Sequence, residues 1–195
     1  YLKGQFEFIG LDAKTLRSLI ADFIKEFHYP DTEKLGEVAL HLWRMPEREF
    51  QHAAIEIIRK KTKQFRKQDI AWIEELIIRK SWWDTVDAIA IHICGDFFKL
   101  FPEQIIPITN RWIDSDNIWL NRSALLFQLK YKVNTDTKLL SSYIEKQAGH
   151  KDFFVRKAIG WILREYSKTN KKWVAEFVAS HQLSSLSRKE ATKYI

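Results

Sequence analysis

Cysteine is nearly absent: Cys94 is the only one in 195 residues, so no disulfide can form within the chain, and a reducing compartment is expected. One thiol and six scattered histidines offer no zinc-ligand spacing, and no metal site is expected. Six glycines are too few and too dispersed for a phosphate-cradling loop, and neither a G-x-S-x-G elbow nor an H-E-x-x-H helix occurs. No apolar run approaches the roughly 20 residues of a membrane span, and no signal-peptide pattern precedes the first helix. These absences lead to the expectation of a cytoplasmic protein without a membrane partner. The two-residue alternation of half-buried strands is also missing, which argues against a β fold.

Positive charge and aromatic rings are plentiful. Lys plus Arg number 32 against 25 acidic residues, a net charge of +7 with a pI near 9.4, and aromatics make up 14% with eight tryptophans. Such a balance is compatible with a polyanionic partner. Apolar residues recur at three- and four-residue steps over 15–27, 47–65, 69–80 and 151–168, with Pro30, Pro46, Pro102 and Gly149 at or near element ends. No linker-like composition interrupts the chain. The sequence therefore predicts one all-α domain over residues 1–195.

An internal repeat supplies the architecture. Ala54-Ile55, Ala88-Ile89, Ala124-Leu125 and Ala158-Ile159 are separated by 34, 36 and 34 residues, a period of stacked helical pairs. "NRSA" (121–124) and "VRKA" (155–158) resemble HEAT-type repeats. On a helix turning about 100° per residue, Trp83 and Asp87, Trp119 and Arg122, and Phe153, Arg156, Lys157 and Trp161 share the face opposite the apolar stripe. In a solenoid that face lines one curved surface. "SWWDTVD" (81–87) then divides: Ser81 is expected as the N-cap, Asp84 in the first turn, Trp82 in packing, and Trp83 with Asp87 outward. Arg122 reads either as a surface arginine or as a partner for Asp87 of the neighbouring repeat. Arg156, Lys157, Arg164, Lys168, Lys171 and Lys172 form a basic region that reads as a solvated face or a phosphate track.

With these residues in place, the chain resembles the DNA alkylation repair family, the AlkD-like DNA glycosylases. The resemblance rests on "QFEFIGLDAKTLRSL" (5–19), "REFQHAAIEII" (48–58), "KSWWDTVDAIA" (80–90), "NIWLNRSALLFQL" (117–129), "EKQAGHKDFFVRKAIGWILREYSKTN" (145–170) and "LSSLSRKEATKYI" (183–195). It implies a right-handed α-α superhelix of HEAT-like repeats with a concave basic groove. It also implies excision of positively charged N3- and N7-alkylated purines from duplex DNA, by a monomer that needs neither a cofactor nor a base-binding pocket. The family's catalytic carboxylate matches Asp87, its sugar-contacting tryptophans match Trp83 and Trp161, and its backbone-contacting arginine matches Arg122. Tyr1 resembles a further DNA-contacting tyrosine. Trp119, Arg156, Lys157, Arg164 and Lys168 complete the expected DNA-binding set. The alternative is a non-catalytic HEAT-like scaffold that binds DNA or a protein, for which Asp87 has no chemical task.

Overall fold

The computed structural model describes residues 2–28, 30 and 32–195, with only the backbone of Thr32. Tyr1 lies outside the described residues. The protein is helical throughout; among the described residues no strand forms, and an isolated bridge joins Glu7 and Glu47. Among them, too, no helix is long and apolar enough to cross a membrane. The chain divides into two compact units, Tyr1–Ser81 and Trp82–Ile195, with the boundary inside the "SWWDTVD" stretch.

The first unit contains α1 (Ala13–Phe27), α2 (Leu35–Arg44), α3 (Arg48–Arg59) and α4 (Ile70–Ile78). Asp12 starts α1 by accepting the amides of Lys14 and Thr15 at 2.8 and 2.9 Å. Leu35, Trp43, Ile58, Ile73, Leu76 and Ile77 form its core. Gly36 permits the contact between α2 and α4, because a Cβ there would stand 2.7 Å from the Trp72 ring. The N-terminal segment is tied down by Glu49, whose carboxylate accepts the amides of Ile9, Gly10 and Leu11 at 3.1, 2.8 and 3.1 Å.

The second unit contains α5 (Trp83–Ala88), a π-helical stretch (Ile89–Cys94), α6 (Gly95–Leu100), α7 (Ile105–Ile113), α8 (Ile118–Leu126), α9 (Thr137–Gln147), α10 (Phe153–Ser167), α11 (Lys171–Ser180) and α12 (Ser185–Ala191). Side-chain caps from Asn117, Asp136, Asp152, Asn170 and Ser184 start α8 to α12, each satisfying amides the first turn leaves free. Phe97, Phe98, Trp112, Phe127 and Tyr143 are the largest rings of the core.

The repeat anchors fall on α3, α5, α8 and α10. Ala54, Ala124 and Ala158 are buried as the pattern requires, whereas Ala88 is half-buried and its neighbour Ile89 takes the core position. Two of the repeats share a staple three residues before the alanine. The Gln51 amide donates to the Leu42, Trp43 and Met45 carbonyls at the end of α2. The Asn121 amide donates to the Trp112, Ile113 and Ser115 carbonyls at the end of α7. Each amide thus satisfies carbonyls that a helix end leaves without partners, and locks the two helices of a pair.

Two expectations are corrected. Ser81 is not an N-cap: its hydroxyl donates back to the Ile77 carbonyl at 2.6 Å, and α5 begins after Trp82 without a side-chain cap. Lys80, directly before Ser81, has a left-handed φ of 48°, and the N-cap position falls to Trp82. The 100° register also fails beyond Ala88. The π-helical turn winds more residues into each turn, and within it His92 is half-buried while the neighbouring Ile93 and Cys94 are fully buried.

Candidate functional site

Three helices of the second unit contribute to one cleft of about 300 Å³, lined by Trp83 and Asp87 of α5, Arg122 of α8, and Phe153, Phe154, Lys157, Trp161 and Arg164 of α10. The repeat spacing explains this convergence, since equivalent positions on successive helices meet along one face. Four aromatic rings supply apolar walls, one carboxylate and three cations supply the charge.

Asp87 is only 8% exposed and Arg122 3%, so both lie deeper than the outward face assigned to them from the helical register. Of the two readings of Arg122, the partner of Asp87 is the one observed. Its Nε donates to Asp87 Oδ1 at 2.6 Å and its Nη2 to Oδ2 at 2.8 Å, a fork that holds both oxygens in one plane. The remaining Nη1 donates to the Phe154 carbonyl at 2.5 Å, and the guanidinium carbon stands 6.0 Å from the Trp161 ring centroid. Arg122 therefore ties α5, α8 and α10 together at the cleft. Burial drives the Asp87 carboxyl above the usual aspartate range. The hydrogen bonds and charge of Arg122 pull it down without cancelling that effect, and Asp84 adds a push upward. Burial also draws the Lys157 ammonium below the usual lysine range, reinforced by Lys193, Arg164 and Arg122.

Other expected residues lie elsewhere. Trp119 packs 5.9 Å from Trp82 and 5.0 Å from Phe154, ring centre to ring centre, and does not line the cleft. Trp82 joins the same cluster at 5.1 Å from Phe154, in the packing role expected of it. Arg156 is half-buried and donates to the Asp152 carbonyl at 3.3 Å. Lys168 pairs with Glu165 at 2.6 Å, lies over the Tyr194 ring, and lines a separate cavity with Gln128 and Tyr166. Lys171 and Lys172 are exposed on α11. Phe154 was not anticipated, although the aromatic pair at 153–154 in the repeat register could have signalled it. Among the described residues, no group of three or more His, Cys, Asp or Glu side chains is arranged to hold a metal ion.

An all-α, helical-repeat protein with an aromatic cleft around a buried Asp–Arg pair is the class these features define. The sequence profile described as DNA alkylation repair enzyme matches residues 1–195, and the chain belongs to that family. Membership places it in DNA alkylation repair as an enzyme acting on DNA. It is similar to a structure described as a predicted DNA alkylation repair enzyme from Enterococcus faecalis, with 34% identity, a TM-score of 0.92, and coverage of 100% of this chain and 91% of the other. It shares its fold with AlkD2 from Streptococcus mutans, at 19% identity and a TM-score of 0.71, covering 100% of this chain and 95% of that one. No curated protein matches the chain.

Proposed function

We propose that the protein is a DNA glycosylase that excises positively charged N3- and N7-alkylated purines from duplex DNA. The observation that carries this reading is the cleft itself: a buried carboxylate with a raised proton affinity, oriented by an arginine, between aromatic walls and beside cations. Perturbed carboxylates in clefts are characteristic of functional sites.

Alkylation at N3 or N7 puts a positive charge on the purine, so the base leaves with the C1′–N bonding pair as a neutral molecule and needs little acid assistance. The difficult species is the deoxyribose, which gains oxocarbenium character as that bond breaks. Asp87 near C1′ opposes the developing charge, and Arg122 fixes its two oxygens so that no reorganisation is needed during the reaction. Water then adds its oxygen to C1′ and gives up a proton, leaving an abasic sugar. Trp83 and Trp161 hold the sugar on their faces, contacts that strengthen as positive charge builds. Lys157 and Arg164 neutralise flanking phosphates and set the register of the duplex.

One feature favours the second reading, a DNA-binding scaffold without chemistry: Arg122 engages both oxygens of Asp87, as in a structural ion pair. Incubation with methylated duplex DNA, followed by detection of released 3- or 7-methylpurine, separates the two. The glycosylase reading expects release by the wild type and its loss in Asp87→Asn. Salt-sensitive binding with no release by the wild type overturns it.

A further inference from the structure

The two lysine and arginine heads that α10 brings to the cleft are held from behind. Lys157 and Arg164 stand two turns apart on α10, and both form ion pairs with one carboxylate, Glu190 of α12. Lys193 joins the same carboxylate at 2.8 Å. The Glu190 side chain is 4% exposed, against 22% for Arg164 and 37% for Lys157, so the anion is sealed inside while the cations reach outward. A carboxylate at that depth is stable only because cations surround it, and three of them leave an excess of positive charge beside the cleft.

Two features bring α12 close enough. A Cβ on Gly160 would stand 2.5 Å from the Glu190 Cβ and 2.8 Å from the Ser187 carbonyl oxygen, so glycine is the residue that admits α12. The Ser187 hydroxyl donates to the Arg156 carbonyl at 2.8 Å and closes the junction. Gly160 lies between Lys157 and Arg164 in the chain and directly before Trp161, so the glycine that seats Glu190 sits within the helix segment that lines the cleft.

We propose that Glu190 is a positioning residue for the cleft, holding Lys157 and Arg164 in place so that their remaining N–H donors meet the phosphates of bound duplex. Ammonium and guanidinium groups carry three and five donors, and the shared carboxylate leaves most of them available. Holding two long side chains before DNA arrives removes part of the ordering that binding would otherwise require. This inference rests on the glycosylase reading for the identity of the ligand, but its electrostatic part can be measured separately.

The test compares wild type with Glu190→Gln. Glu190 offsets one of the three positive charges gathered on it, so its removal presents one more net positive charge to the duplex. The slope of log K against log salt for an unmodified duplex should then steepen by about one. Single-turnover release of methylpurine should slow by about tenfold, because the cations no longer hold the backbone in register. A slope that stays the same or becomes shallower overturns the proposal. If the wild type binds duplex and releases no base, the glycosylase reading fails, and the slope still decides the role of Glu190. A second measurement needs no folded Glu190 variant. In the wild type, the Lys157 ammonium, assigned by its loss in Lys157→Arg, should give a slowly exchanging proton–nitrogen NMR signal at neutral pH. Rapid exchange of that ammonium overturns the proposal as well.

Discussion

Glu49 in the first unit and Asp87 in the second both lie on anchor helices of the repeat, and both are buried carboxylates, yet their surroundings act in opposite directions. Burial works against the charged form of Glu49, but the amides of Gly10, Glu49 itself, Ile9 and Leu11 outweigh it and hold its carboxyl below the usual glutamate range. Asp87 has a full guanidinium beside it and is still pushed upward. The comparison separates two uses of a buried anion. Glu49 is surrounded by donors that suit the charge, and it fastens the N-terminal segment to α3. At Asp87 burial outweighs the pull of Arg122, and a carboxylate perturbed in this way within a cleft is a candidate for a functional group.

The sharpest way to break this comparison is to neutralise Asp87. Asp87→Asn keeps the side-chain shape, so the protein should still fold and bind duplex DNA, while methylpurine release falls by about 10²–10³-fold, the usual loss when a transition-state electrostatic contact is removed. Loss of binding together with loss of release would make Asp87 a structural residue like Glu49. The pH dependence gives a second view of the same group. In the proposed reaction Asp87 works as the anion, and its proton affinity is raised, so activity should fall on acidification at a pH above the ordinary aspartate value of about 3.9. An acid limb at or below that value contradicts the assignment.

Trp161→Ala should have a smaller effect. It removes one aromatic wall and the ring beside Arg122, and release should slow by about tenfold, the scale of one cation–π contact in a partly dry site. Trp119→Ala serves as the contrast. Its ring packs against Trp82 and Phe154 outside the cleft, so its removal should lower the melting temperature more than it changes the rate of the folded fraction.

That contrast also shows how far the sequence could be read. Trp83, Trp119 and Phe153 occupy one register position in three repeats. Periodicity alone could not tell which ring lines the cleft and which packs, because Trp82 and Phe154 decide it from other positions in the chain. The helical character, the 34–36-residue repeat and the polar and indole residues of the cleft were legible from local spacing and motif, whereas Phe154 in the cleft and the packing of Trp119 outside it were not. The depth of Asp87 and Arg122 was not, because a helical wheel shows direction and says nothing of what covers a face. The π-helical turn after Ala88 left no mark in the hydrophobic pattern. Glu190 was invisible for a similar reason: its link to Lys157 spans 33 residues and depends on the missing side chain of Gly160.

Neutralising Glu49 tests the other half of the comparison. Glu49→Gln replaces charge-assisted bonds from three amides with neutral ones, and unfolding should become easier by about 1–3 kcal/mol. The sign with pH follows from the lowered proton affinity. The contribution of Glu49 is fully present above the unfolded glutamate range and is lost as pH falls through its folded value. The stability difference between wild type and Glu49→Gln should therefore shrink in acid. A difference that persists unchanged at low pH would mean that the charge of Glu49 is not what fastens the segment.

The smallest effects come from the amide staples, where the two units carry the same device with different neighbours. Gln51→Ala and Asn121→Ala each remove an amide that serves three carbonyls at the end of the preceding helix, and each should cost about 1–3 kcal/mol, because those carbonyls become buried without donors. Their effects on base release should differ. The helix that Asn121 holds against α7 carries Arg122 at the next position, and Arg122 sets both oxygens of Asp87. Loosening that helix should slow release a few-fold in protein that remains folded, roughly the sensitivity expected for a small displacement of a positioned group. The helix held by Gln51 carries no residue of the cleft, so Gln51→Ala should alter melting and leave the rate of the folded fraction at the wild-type level. Equal rate losses in the two variants would mean that the staple acts through global stability alone. A loss confined to Asn121→Ala would show that the repeat's structural device has been recruited to aim the arginine.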